Sequence, residues 1–160
     1  MDRIRGFEVC SAFQEHKISI PKRSTKHSAG YDIEAAEDVT IPSIWKLSIK
    51  HDGQLKPAFV KTGIKAYMQE DEALFLYNRS GNPIKRGLVM ANSVGVVDSD
   101  YYNNADNEGH IMFAFYNFYP VDITIKKGER IGQGVFKKYL KADGDNAGQF
   151  REGGFGSTHQ

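Results

Sequence analysis

Residues 109–119, Gly109-His110-Ile111-Met112-Phe113-Ala114-Phe115-Tyr116-Asn117-Phe118-Tyr119, decide the fold class. A strand sends successive side chains to opposite faces. One set is Ile111, Phe113, Phe115, Asn117 and Tyr119, and the other is Met112, Ala114, Tyr116 and Phe118. Both sets are apolar, so a strand here must be covered on both sides. A second sheet can cover one face. In a chain with no helix to spare, a neighbouring subunit is expected to cover the other. Pro120 ends the run.

Outward from this run, short strand patterns alternate with turn signals. Towards the C-terminus, residues 121–125 and 130–139 read as strands, separated by Lys126-Lys127-Gly128-Glu129. Towards the N-terminus, residues 57–68 read as a strand pair or one strand bent about Gly63, and residues 72–77, 88–91 and 94–97 as further strands. Ser80 is placed as the N-cap of one short helical turn that Gly87 terminates. His51-Asp52-Gly53-Gln54 reads as a turn. Residues 39–41 and 44–49 read as strands separated by Pro42-Ser43, residues 13–20 as a first strand ending at Pro21, and residues 1–11 as a weakly structured lead-in. About ten short strands with at most one short helix imply an all-β fold, a sandwich or distorted barrel. Residues 1–140 form one β domain, and residues 141–160 a linker and glycine-rich C-terminal arm.

Composition narrows the function. With 160 residues the chain fits a single domain with a sizeable core. Lys and Arg number 21 against 20 Asp and Glu, so no basic face for nucleic acid is expected. Cys10 is the one cysteine, which excludes intrachain disulfides and multi-cysteine zinc sites and suits a reducing, cytoplasmic setting. The N-terminus MDRIRGFEVC lacks an apolar signal region, and no apolar stretch reaches membrane-spanning length. The five histidines show no metal-ligand spacing, and there is no G-x-S-x-G, Walker loop or H-E-x-x-H.

Five stretches could carry chemistry, and each also fits a plain structural role. Residues 92–104, NSVGVVDSDYYNN, read as a β-hairpin. Gly95 would permit close approach to the backbone, and Asp98 could aim a water. The plain alternative is a hairpin with a solvated acidic turn. Arg79-Ser80-Gly81 could grip a phosphate at a helix start, or simply cap it. Gln133, on the strand face of Ile131 and Val135, could meet a ligand or a metal-bound water, or be a buried Gln satisfied by backbone. Asp32 could hold a magnesium hydration shell, or form an Asx-turn. In the tail, Arg151 and the segment from Gly153 to Thr158 could nest a polyanion while Phe155 closes over a flat ligand, or could be an unstructured Gly-rich end.

In order along the chain, these stretches resemble the five motifs of trimeric dUTPases. They are Ala29-Gly30-Tyr31-Asp32, Arg79-Ser80-Gly81, the run from Asn92 to Tyr101, Gly128-Glu129-Arg130-Ile131-Gly132-Gln133, and Gly153-Gly154-Phe155-Gly156-Ser157-Thr158. The Asp-Tyr-Tyr-Asn-Asn ending is most similar to forms from Gram-positive bacteria and their phages. The resemblance implies a jelly-roll-like subunit in a homotrimer, with three sites built from motifs on different subunits. The C-terminal arm would complete a neighbouring site. The implied reaction is dUTP plus water giving dUMP and pyrophosphate, with Mg2+.

The resemblance also implies roles. Asp98 would orient and deprotonate the attacking water. Asn92 and the backbone from Gly95 to Val97 would read uracil, Tyr101 would pack under the deoxyribose, and Phe155 would stack on the base. Arg79, Ser80, Gly81, Gln133, Arg151, Gly156, Ser157 and Thr158 would hold phosphates, and Asp32 would hold the metal through water. Three departures stand out. His159 follows Ser-Thr where Gly is frequent, Arg151 lies four residues before Phe155 where five is common, and Glu129 replaces a common Asp, with an ion pair to Arg130 expected. A dCTP deaminase-like enzyme of the same fold would need a second carboxylate near the pyrimidine, for which no candidate is evident. A ligand-switched protein-binding module is the alternative from another class.

Overall fold

The computed structural model describes residues 3–46 and 55–148. Among them run β1 (Gly6–Val9), β2 (Lys22–Arg23), β3 (Tyr31–Glu34), β4 (Val39–Ile41), β5 (Ala58–Lys61), β6 (Ile64–Tyr67), β7 (Glu72–Asn78), α1 (Gly81–Arg86), β8 (Leu88–Met90), β9 (Val94–Asp98), β10 (Met112–Asn117), β11 (Ile123–Ile125) and β12 (Arg130–Lys138). The strands form a five-stranded sheet, β2-β3-β12-β7-β9, and a three-stranded sheet, β5-β10-β8, with the pairs β1-β6 and β11-β4 alongside. The ladders between them are antiparallel. This is the expected all-β, jelly-roll-like sandwich.

The 109–119 run supplies its centre as β10. Phe113 and Phe115 are fully buried beside Leu74, Ile111 and Ile131. Each ring contributes about 2–3 kcal/mol by leaving water. Asn117, also on the inner face, is fully buried, and its amide is spent on the carbonyls of Ile41 (3.0 Å) and Val121 (2.9 Å). The outer face of this sheet leaves Phe59 and Val89 exposed, each paired opposite a β10 residue.

Gly63 bends the 57–68 segment as expected, at φ 70°. Three other expectations are corrected. The lead-in contains β1, paired with β6, and Phe7 packs against Tyr31 and Phe136 at 5.5 and 5.3 Å. Charged Arg3, Arg5 and Glu8 mask this strand in the sequence. Their partners, Glu8 for Arg3 and Glu72 for Arg5, become apparent only in the fold. Residues 13–20 are not a strand: Ser11–His16 forms a 3-10 helix with Phe13 as its one buried residue. Residues 44–46 are helical instead of extended, because buried Ser43 accepts from the Lys46 N–H and bridges to Asn117. The rest of that expected strand, and the turn at residues 51–54, lie outside the described residues.

Candidate active site

Asn92 and Ser93 form a tight turn, with the Val94 N–H donating to the Asn92 carbonyl at 2.6 Å and Ser93 at φ 59°. The hairpin expected over residues 92–104 does not form, because β9 runs into a 3-10 turn at Ser99–Tyr101 and pairs with β7 instead of with the residues that follow it. β8 pairs with β10 in one sheet and β9 with β7 in the other, so the turn is a corner between sheets. β9 is thereby the edge of the five-stranded sheet. One side of its backbone, from Val94 to Val97, is not engaged by the ladder and can offer N–H and C=O groups to a ligand. Gly95 faces inward on Leu76, where an added Cβ would stand 3.0 Å from the Leu76 Cβ. Val97 is buried beside it, while Val94 and Val96 project outward and are exposed. The strand ends on Asp98, opposite Ala73.

Directly opposed residues in an antiparallel ladder project to the same face. Asp32 opposes Gln133, Gln133 opposes Tyr77, and Tyr77 opposes Val94, so these four form one row across the outer face. Gln133 was expected to point into the core. Its neighbours Gly132 and Gly134 do so instead, against Phe113 and Leu74, which leaves Gln133 half-buried on the outer side. Its amide lies over Gly30, where an added Cβ would sit 2.0 Å from its Oε1. Gly30 is therefore required for Gln133 to take this position.

Asp32 accepts from the Ser24 hydroxyl and pairs with Arg130 at 3.2 Å. An open cavity of about 340 Å3 beside it is lined by Lys22, Arg23, Asp32, Glu34 and Arg130 among others. The expected pair between Glu129 and Arg130 is absent: Glu129 pairs with Arg86 and accepts from the Lys126 N–H, and Arg130 turns to Asp32.

Arg79 and Ser80 are exposed just beyond the end of β7. Ser80 does not cap α1 with its side chain; its backbone is already helical, so its hydroxyl makes no cap bond. Gly87 ends the helix at φ 61° as expected. What fixes α1 is Asn82, which the sequence reading missed. It is buried and donates to Asn78 Oδ1 (2.9 Å) and the Ile131 carbonyl (2.8 Å), while Asn78 donates to the Leu88 carbonyl. Asn82-Pro83 reads as turn chemistry, so nothing local signals a buried amide.

After Asp98, a 3-10 turn, Ser99–Tyr101, carries Tyr101 into the core. It is only 5% exposed, so it can serve a ligand as a fixed wall and not as a mobile ring. The loop that follows is held from outside by Lys65, itself buried, which donates to Glu108 Oε1 (2.5 Å) and Asn103 Oδ1 (2.6 Å). Glu108 also accepts from the N–H and hydroxyl of Ser11. These bonds, the Lys65 bond foremost, hold the Glu108 carboxyl down to about 2. Tyr102 donates to Glu8. Burial, with Lys61 nearby, pushes His110 down to about 4, and its Nε2 accepts from the Gly63 N–H at 3.0 Å.

The candidates thus fall into two groups. Asp32, Gln133, Arg79, Ser80 and the Asn92 turn share one end of the sheet. Asp98 and Tyr101 lie at the other, four residues and about 13 Å further along β9. Arg151, Phe155, Gly156, Ser157 and Thr158 lie outside the described residues. The described residues contain no group of three or more His, Cys, Asp or Glu side chains that could hold a metal ion. No helix among them is long and apolar enough to cross a membrane.

A model of the dUTPase family matches residues 16–159. The chain is 53% identical over 158 residues to the deoxyuridine 5'-triphosphate nucleotidohydrolase of Lactococcus lactis subsp. lactis, with 98% of each covered. The structure of dUTPase from Streptococcus mutans is similar, with a TM-score of 0.74 at 44% identity over 87% of this chain and 99% of that one. A mutant dUTPase from phage phi11 of S. aureus, whose structure details the coordination of a structural Mg(II) ion, has a TM-score of 0.66 at 21% identity. It covers 91% of this chain and 97% of that one, and it shares the fold.

Proposed function

The chain belongs to the dUTPase family and is a dUTP diphosphatase, and from that premise we propose how its residues divide the reaction. The observation that carries the reading is that one edge strand, β9, runs from the Asn92 turn to Asp98. Uracil binds at the start of the strand, where the Asn92 side chain and the free backbone edge from Gly95 to Val97 match its O4 and N3–H. Cytosine leaves those groups mispaired, which a buried polar site penalises. The deoxyribose lies against Tyr101. The α-phosphorus then falls near Asp98.

Asp98 accepts a proton from water as the water oxygen bonds to the α-phosphorus. The bond from that phosphorus to the bridging oxygen breaks, releasing pyrophosphate and leaving dUMP. Arg79, the hydroxyl of Ser80, the backbone at Gly81 and the amide of Gln133 hold phosphate oxygens as charge develops. Arg151, Gly156, Ser157 and Thr158 extend that grip from the C-terminal arm, and Phe155 closes on the base.

Asp32 and Gln133 stand side by side with one carboxylate and one amide between them. That donor set fits Mg2+, which keeps most of its waters and binds through few carboxylates plus substrate phosphates. When bound, the ion would neutralise triphosphate charge, with Asp32 holding it through water.

Within one chain the phosphate-binding residues lie beside the uracil end of β9, about 13 Å from Asp98. A nucleotide that extends from the turn to Asp98 carries its phosphates away from them. The grip on those phosphates therefore comes from another copy, which supports a homotrimer with its sites between subunits. Outward-facing Val94 and Val96, opposite Tyr77 and Phe75, offer an apolar strip for such a contact. A cytoplasmic enzyme fits the single, buried Cys10.

Pyrophosphate release from dUTP, dCTP, dTTP and UTP, with and without EDTA, tests the reading. Selective release from dUTP that EDTA suppresses is expected. Equal turnover of dCTP, or full activity in EDTA, would contradict the uracil or the magnesium assignment respectively.

A further inference from the structure

Both ends of Tyr101 are held by asparagines of the following loop. Its carbonyl accepts from Asn104 Nδ2 at 2.8 Å. Its phenol accepts from Asn107 Nδ2 at 2.8 Å and donates to the His110 carbonyl at 3.1 Å. Both hydrogen-bonding roles of the hydroxyl that fix its direction are thus filled. Asn107 is itself oriented, because its Oδ1 accepts from Asn104 Nδ2 (2.9 Å) and from the Gly109 N–H (3.1 Å). Gly109 makes this possible: its φ is 81°, and an added Cβ would stand 2.7 Å from the Tyr101 carbonyl oxygen.

We infer that Asn107 is a specificity-determining positioning residue, which fixes the Tyr101 phenol so that the ring stands as a rigid wall against a ribose 2′-hydroxyl. The inference rests on the reading that Tyr101 meets the sugar. A wall discriminates by steric exclusion only if it cannot retreat. A phenol anchored at two points cannot move the fraction of an ångström to an ångström that one extra oxygen needs. With the Asn107 donor removed, the phenol loses one of these two anchors and the ring gains freedom to move. The 2′-hydroxyl of UTP gains more from a wall that can retreat than dUTP does, so the ratio between the two substrates falls.

The test measures kcat/KM for dUTP and for UTP in Asn107→Ala and Tyr101→Phe, with Ile125→Val as a control. Ile125 is a fully buried core residue on β11, which pairs with β4 and carries none of the bonds described for the phenol, so its truncation costs stability while leaving those bonds in place. Losing a buried hydrogen bond is worth about a tenfold change in an equilibrium. Asn107→Ala and Tyr101→Phe are each expected to lower the dUTP-to-UTP ratio about tenfold. Ile125→Val lowers the melting temperature at an unchanged ratio. If Asn107→Ala does not fold, Tyr101→Phe carries the test alone, since it leaves the loop intact. The inference is overturned if both variants lose stability like the control yet keep the wild-type ratio. Tyr101→Leu separates this inference from the underlying one. An unchanged ratio there removes Tyr101 from the sugar site altogether. A relaxed ratio there, with Asn107→Ala and Tyr101→Phe unchanged, overturns only the role of Asn107.

Discussion

The two ends of β9 are built by different means. At the Asn92 end, Asp32 and Gln133 are placed by backbone register across β3 and β12, and a glycine makes room for the amide. At the Asp98 end the ladder stops, and side-chain bonds from Lys65, Asn104, Asn107 and Glu108 hold the following loop. Ladder positions tolerate change as long as register survives. A side-chain clamp fails one residue at a time. The Asn92 end should therefore resist substitutions that loosen the Asp98 end.

The largest expected effect sharpens the role of the strand terminus. Asp98→Asn should lower kcat by about a thousandfold while dUTP still binds, because the water loses its base and little else changes. Single-turnover kinetics beside equilibrium binding would show this. Near-normal turnover would remove Asp98 from the chemistry.

Next, Lys65→Met strips the loop clamp of its cation. It leaves Glu108, which retains Ser11, facing a thioether, and should cost about 2–3 kcal/mol by urea unfolding. The pH dependence follows from the same pair. Glu108 has a lower pKa folded than unfolded, so its stabilisation is complete above the unfolded value near 4.5 and is lost as pH falls towards about 2. Lys65→Met should flatten that acid limb. An unchanged limb would mean the pair contributes nothing.

Gly30→Ala tests the other end. Its Cβ would meet Gln133, so the amide must move, and kcat/KM for dUTP should fall about tenfold with a small change in melting temperature. Full activity would show that the Gln133 position is not required.

The smallest effect near neutral pH belongs to His110. Its folded pKa is about 4 against 6.5, so the unfolded chain takes up a proton first as pH falls. Stability should drop by on the order of 1 kcal/mol by pH 6 and continue to fall towards pH 4. His110→Gln should remove this slope, as read from denaturation midpoints across that range.

Much of this architecture is legible in the sequence. β10, β7 and β12 are visible as apolar or alternating runs, and Gly63 and Gly87 mark a bend and a helix end that require positive φ. What the sequence conceals is partnership. Residues 92–104 look like a hairpin because a short strand followed by an acidic, Asn-rich turn reads the same locally whether or not the chain returns to pair with that strand. β1 is hidden by charges, among them Arg5, whose partner Glu72 lies far along the chain. Asn82 and Asn107 look like turn residues, although each spends its amide on a long-range or cross-loop bond. Asp98, Gln133 and Asp32 were recognisable through the order of their motifs, but their separation into two ends of one sheet required the ladder register.

That separation is tested most directly by mixing two inactive variants. Asp98→Asn keeps the phosphate end, and a double change of Ser80→Ala with Gln133→Ala keeps the carboxylate. After co-refolding at equal ratio, sites shared between copies should recover activity approaching about a quarter of wild type, since random assembly pairs intact halves at that frequency. Activity no higher than the sum of the separate variants would place each site within a single chain and contradict the account.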